Sequence, residues 1–316
     1  MDAVFAGWLP TNVPTQLPVS IIICTRNRAE QLAVCLRQLR TLRSRPAEIV
    51  VVDNAPTDSS TEKVVRNFPE AVYVREPRAG LDIARNTGIV AAQNEIILFI
   101  DDDVMVNDML VYWVWQAFEE PAVAAMTGLV IAHSLQTEAQ VIFEKDWSFN
   151  RGYVDTYYTP DYLNQTGPPV WKIGAGANMA FRKSIFEQAG YFDELLDAGA
   201  AGCSGDSEMW HRILANGGTI HYNPRAVAHH AHREQLQDLK DQIFYYMRGH
   251  VVAALIQHRH RPQDGYDRYL KRLYNYYSDL LGKHFPLFKY CHPTMWAEIK
   301  GAAAGVAYYY RHRDAA

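Results

Sequence analysis

The chain has 316 residues, 48% of them hydrophobic and 21% charged, with a formal net charge of −4. That composition supplies a substantial core and excludes wholesale disorder. The charge balance excludes a chain that is a nucleic-acid binder as a whole.

Cysteines stand at 24, 35, 203 and 291 without a C-x-x-C pair, so neither a zinc knuckle nor a redox motif is expected. Cys24 and Cys35 lie in apolar segments and read as core thiols. The opening MDAVFAGWLPTNVPTQLP lacks a basic start and a long apolar run, and its prolines break any helix. It does not read as a signal peptide. No apolar stretch approaches the ~20 residues of a bilayer span. The expectation is a soluble, cytoplasmic protein.

Val19 to Cys24 (VSIIIC) is a β-branched apolar run and predicts a buried strand. Ala29 to Leu42 carries leucines at helical spacing. Glu48 to Val52 predicts a second strand. Ser59-Ser60-Thr61-Glu62 matches a capping box ahead of another helix. Ala71 to Val74 predicts a third strand, Leu81 to Ala92 a helix, and Glu95 to Ile100 a fourth strand. This alternation implies an α/β fold with an open, mostly parallel sheet flanked by helices.

From 132 to 170 the pattern dissolves into an aromatic stretch that reads as a long loop. Regular structure resumes near Asn178. Asp206 to Ala215 predicts a helix stopped by Asn216-Gly217-Gly218, and Thr219 to Tyr222 a short strand. Leu236–Gln257, Tyr266–Leu281 and Thr294–Tyr310 carry helical patterns. They form a helical C-terminal extension over 234–316.

In an open α/β sheet, ligands bind beyond the carboxyl ends of the strands. Thr25-Arg26-Asn27-Arg28, Asp53-Asn54 and Asp101-Asp102-Asp103 follow strands and are expected to line one crevice. Adjacent carboxylates repel unless a cation sits among them, so the triplet reads as a Mg²⁺ or Mn²⁺ site or as a solvated, helix-capping turn. Asp53 reads as a ribose or base contact or as an Asx-turn. Arg85 is a bidentate donor for a diphosphate or a surface arginine. Asp206 and Glu208 open a helix, where acids complement the dipole, or supply a general base, with Asp206 the better placed. His229 and His230 complete a metal site or end a polar strand. Gly174-Ala175-Gly176-Ala177-Asn178 lacks the third glycine of a dinucleotide fingerprint. A backbone approached closely by substrate is the better reading.

Together these segments resemble the inverting family-2 glycosyltransferases of GT-A fold. VSIIICTRNRAEQL is similar to that family's first strand and turn, VVVDNAPTDSS to its second, GLDIARNTGI to its A-R-N-x-G helix, and ILFIDDDV to its D-x-D segment. GAGANMAFRKSIFEQAGYFDE resembles the acceptor-side stretch, and SGDSEMWHRILANGGTIHYNPRAVAHH the segment carrying the base. Gly205 departs from the pattern by replacing the acid that usually precedes the base.

The resemblance implies a catalytic domain over 19–233, with a nucleotide-binding half near 19–104 and an acceptor-binding half near 105–233, after an N-terminal extension over 1–18. It implies that Thr25, Arg26, Asn27, Asp53, Arg85, Asp101 and Asp102 hold the nucleotide sugar. Asp103 and Asp101, with one of His229 and His230, would hold Mn²⁺ or Mg²⁺, and Asp206 would be the base. Trp171, Gly176, Asn178 and Glu208 would meet the acceptor. The implied donor is a nucleotide-diphosphate sugar, UDP favoured, and the acceptor a glycan, a lipid-linked molecule or a small molecule. Rival readings are a sugar-phosphate nucleotidyltransferase, which the glycine-free turn CTRNRAEQ disfavours, and a non-catalytic sugar-nucleotide-binding protein. The C-terminal helices would pack on the catalytic part, form a homodimer contact or lie on a membrane.

Overall fold

A computed structural model describes residues 10, 12–286, 288 and 292–313. The start of the N-terminal extension (1–9 and 11) and Cys291 lie outside the described residues.

The first half follows the predicted alternation. Strands β1 (Gln16–Thr25), β2 (Arg45–Asn54), β3 (Ala71–Glu76) and β4 (Ile96–Asp101) are parallel, in the order β3-β2-β1-β4. Helices α1 (Ala29–Leu39), α2 (Ser60–Val65) and α3 (Leu81–Ala91) connect them. From Val19 to Cys24 β1 is apolar apart from Ser20, because it is covered there on both faces. Ile21 and Ile23 face a core with Leu32 and Leu36 of α1, while Ile22 faces Ala84 and Ile89 of α3. β1 begins at Gln16, so the sheet claims the last residues assigned to the N-terminal extension.

The second half is mixed. It holds β5 (Val104–Val106), α4 (Leu110–Ala117), β6 (Val123–Ala132), α5 (Glu138–Asp146), β7 (Thr156–Tyr158), β8 (Asn178–Arg182), α6 (Ile185–Ala189), α7 (Gly205–Ala215) and β9 (Thr219–His230). The sheet continues β4-β8-β6-β9-β5, with β7 also pairing with β9. β8 runs antiparallel to both β4 and β6.

Two expectations are corrected here. The stretch 132–170 is not one long loop. Thr137 and Gln140 form a capping box that starts α5, and β7 adds to the sheet edge. β9 runs well past Tyr222, because the ladder absorbs Pro224 in a bulge. Gly128 pairs with Asn223, then Leu129 pairs with Val227.

Helices α8 (Leu236–His260), α9 (Tyr266–His284) and α10 (Met295–His312) form the extension. They share cores with the rest of the chain. Leu239, Ile243 and Met247 pack with Phe143 of α5 and Tyr277 of α9, and Val252 and Ile256 pack with Leu196. No helix among the described residues is long and apolar enough to cross a membrane.

Candidate active site

The carboxyl ends of β1, β2 and β4 open into a cleft of about 1390 Å³, closed on the far side by α7 and α8. Thr25, Asn54, Arg85, Asp101, Asp206 and His230 all contribute to its wall.

β4 ends at Asp101, and the chain turns through Asp102 and Asp103 into β5. Because β5 runs antiparallel to β9, Val104 pairs with His230 and brings that imidazole to the acids. One ligand atom each from Asp101, Asp103 and His230 lies within 4.8 Å of the others. Burial pushes the Asp101 carboxyl up to about 7, opposed by Arg85 and reinforced by Asp103 and Asp102. Burial also pulls His230 down to about 4, which leaves a neutral imidazole near pH 7.

Asp102 turns inward and is 4% exposed. It accepts a hydrogen bond from Thr25 Oγ1 at 2.6 Å and pairs with Arg28 at 2.9 Å. Arg28 also pairs with Asp103 at 2.6 Å, so a guanidinium already places positive charge on the triplet. Carboxylate oxygens beside a neutral imidazole, with a side-chain cation drawn to them, are a donor set that fits a divalent cation.

Across the cleft, Asp206 stands in the first turn of α7. Its Oδ2 accepts from the Gly176 N–H at 2.9 Å and its Oδ1 from the Ser207 N–H at 2.7 Å. Arg85 of α3 is buried and pairs with Asp82 at 2.8 Å. Burial opposes its charge, but Asp82, Asp101 and Asp206 together raise its pKa above the usual arginine value. Arg85 is therefore the cation shared by the acidic triplet and Asp206. Asp197 sets the position of α3. Its carboxylate accepts from the N–H groups of Leu81, Asp82 and Ile83 at 2.7, 2.9 and 3.2 Å, filling the donors a helix start leaves open.

The expected residues divide into two groups. Thr25, Arg26, Arg85, Asp101, Asp102, Asp103, Asp206, His230, Trp171 and Gly176 line the cleft. Asp53 does not. It is fully buried, and its Oδ2 accepts from Tyr73 OH at 2.8 Å, while Asn54 takes the cleft position. Asn27 ties the turn after β1 to the one after β2, with Oδ1 accepting from the Thr57 N–H and Oγ1 at 3.0 Å.

Asn178 is fully buried in β8, and its Nδ2 donates to the Ala226 carbonyl at 2.9 Å. It repairs the bulge in β9 and is not offered to an acceptor. Glu208 is 1% exposed and holds Arg212 at 2.7 Å, which in turn bonds the Ala189 and Tyr191 carbonyls. His229 lies next to His230 on a strand, so it projects from the other face and feels His133 instead. It belongs neither to the cleft wall nor to the ligand cluster.

Reading the sequence missed Asp197 and the α8 side chains Tyr245, Tyr246 and His250, which all line the cleft, whereas Arg28 lines it as its turn led one to expect. Arg28 was visible as the last residue of the strand-end turn. Asp197 carries no local signal, because its partners are more than a hundred residues away.

Residues 20–190 match the family model described as glycosyl transferase family 2. A pre-mycofactocin glycosyltransferase from Mycobacterium tuberculosis is 26% identical over 244 residues, 75% of this chain and 48% of that protein. The succinoglycan biosynthesis protein ExoM of Rhizobium meliloti is 26% identical over 226 residues, 67% of this chain and 66% of that one. The chain thus spans about half the length of the first relative and about two thirds of the second. The mannosyltransferase PcManGT from Pyrobaculum calidifontis, solved with GDP-Man and Mn²⁺, superposes with a TM-score of 0.56 at 18% identity. That superposition covers 97% of this chain and 77% of the mannosyltransferase, a likeness of fold. The family match takes in more than half of the chain, and with the GT-A sheet around it this protein belongs to glycosyl transferase family 2.

Proposed function

We propose that the protein transfers a sugar from a nucleotide-diphosphate donor to an acceptor hydroxyl by single displacement, with inversion. One observation carries the reading. Asp206 and the Asp101–Asp103–His230 cluster line one cleft, with Arg85 interacting with Asp101 and with Asp206.

The strand-end residues Thr25, Arg26 and Asn54 would take the nucleotide. Asp101, Asp103 and His230 would hold Mn²⁺ or Mg²⁺, and the mixed oxygen and imidazole set suits Mn²⁺ better. When bound, that ion supplies charge neutralisation at the diphosphate leaving group. Asp206 would accept the proton of the attacking hydroxyl on its carboxylate. The Gly176 and Ser207 N–H groups fix the orientation of that carboxylate. Arg85 would hold the donor phosphates, and it opposes the upward shift of the Asp101 carboxyl. Inversion is what the resemblance to the inverting family-2 enzymes implies, with Asp206 as the one general base. UDP-sugars are the favoured donors, and GDP-sugars belong in the same screen.

Asp206→Asn tests the reading. Transfer should fall by roughly 10²–10⁴-fold, the usual contribution of a general base. Nucleoside-diphosphate stabilisation in a thermal shift with Mn²⁺ should be unchanged. Wild-type turnover in the variant would sink the assignment.

A further inference from the structure

Arg151 is a cation in the cleft wall that pairs with no carboxylate among the described residues. Its Nη1 donates to the Ser148 carbonyl at 2.6 Å and its Nη2 to the Trp171 carbonyl at 3.1 Å. Its Nε is enclosed and has no hydrogen-bond partner. Among the described residues Arg151 forms no salt bridge within 4.0 Å. Arg28 and Arg85, in the same wall, each hold an aspartate.

Neutral carbonyls fix the guanidinium plane but leave its charge uncompensated, and burial of such a charge is costly. Desolvation accordingly lowers the Arg151 pKa, and Asp206 is the carboxylate that opposes the shift. Asp146, Asp238 and Asp241 also line the cleft, but they are exposed to water. Geometry ties Arg151 to the Asp206 side: its Nη2 bonds the Trp171 carbonyl, and Gly176, on the same segment, bonds the Asp206 carboxylate. Around it the wall is aromatic. Trp147, Phe149 and Trp171 share the lining, and the Trp171 ring meets His250 edge-on at 4.6 Å. A guanidinium held in plane, with spare N–H groups, matches a carboxylate or phosphate in its hydrogen-bonding geometry.

We propose that Arg151 anchors an anionic group of the acceptor, a carboxylate or a phosphate, while the acceptor's rings lie on Trp171 and its neighbours. The inference rests on the glycosyl-transfer reading and names its acceptor class, an acidic glycan or a phosphorylated conjugate.

Calorimetric titration of the full chain, saturated with UDP and Mn²⁺, tests it with glucose 6-phosphate, methyl glucuronide and methyl glucoside. At least one charged probe should bind roughly ten- to a hundredfold tighter than methyl glucoside, the range of a charge-assisted hydrogen bond. The order of the two charged probes tells phosphate from carboxylate. Arg151→Gln should abolish the preference, Arg151→Lys should keep part of it, and both should bind UDP as the wild type does. Equal binding of charged and neutral probes by the wild type overturns the proposal, and that comparison stands even where a variant fails to fold. A preference that survives in Arg151→Gln overturns it too. A loss of UDP affinity in Arg151→Gln would assign the residue to the donor instead. Absence of any UDP or GDP binding by the wild type would sink the glycosyl-transfer reading itself, whereas a nucleotide-loaded protein indifferent to charge sinks this inference alone.

Discussion

The carboxylate of Asp82 fills the space beside Gly205 that a side chain there would occupy, so a Cβ on Gly205 would overlap it. The motif that this segment resembles has an acid before the proposed base Asp206, and here that position is Gly205. Asp82 reaches the same volume from α3 and brings Arg85 with it.

Gly205→Glu should therefore destabilise the fold by about 1–3 kcal/mol, the usual cost of overpacking. It should also weaken nucleotide binding by displacing Arg85. Adding Asp82→Ala should recover most of the lost stability, because it reopens the space. Urea midpoints of both variants would show this. A double variant no more stable than Gly205→Glu would mean that Asp82 is not the obstruction.

Burial pushes the Asp82 carboxyl up to about 7, with Arg85 opposing and Asp197 adding. The folded value lies above the unfolded one, so the native state binds more protons between about pH 4 and 7. This group's stabilising contribution is therefore present at the acid end of that window and is lost as pH rises through it. Thermal midpoints of wild type and Asp82→Asn should show a difference that shifts against the wild type from pH 4 to 7. A difference independent of pH would contradict the assignment.

His230→Ala should weaken Mn²⁺ binding, read by electron paramagnetic resonance with UDP present. His229→Ala should leave it unchanged. The two residues are neighbours on β9 and project from opposite faces. Equal losses in both variants would show that the strand end, and not the imidazole, matters.

Asn178→Ala should cost about 1–3 kcal/mol, because it strips the buried Ala226 carbonyl of its donor. Acceptor KM should move little. A large KM effect in a variant of unchanged stability would return Asn178 to the acceptor site.

Much of the frame could be read directly. The runs from Val19, Glu48 and Glu95 became β1, β2 and β4, since a strand covered on both faces is apolar along its length, and the run from Ala71 became the half-exposed edge strand β3. The helices at Leu236, Tyr266 and Met295 matched their periodicity closely. The 132–170 region was misread because aromatic side chains there serve the cleft wall and the sheet edge at once, which blurs any single period. β9 was cut short at Tyr222 because Pro224 signals a break, and only the partner strand shows that the ladder resumes beyond the bulge.

The sequence by itself determined the local chemistry: acids at the end of β4, an acid opening α7, an arginine in α3, and a family whose motifs arrive in order. It could not decide which way each side chain points. Asp53, Asn178 and Glu208 carry suitable groups but spend them inside the protein, on Tyr73, the Ala226 carbonyl and Arg212. Tertiary structure brought His230 and not His229 to the acids, placed Arg85 near Asp101 and Asp206, left Arg151 without a salt bridge among the described residues and seated Asp82 beside Gly205. Each of these outcomes depends on packing between segments far apart in the chain, and a buried polar group takes whatever partner that packing brings within reach.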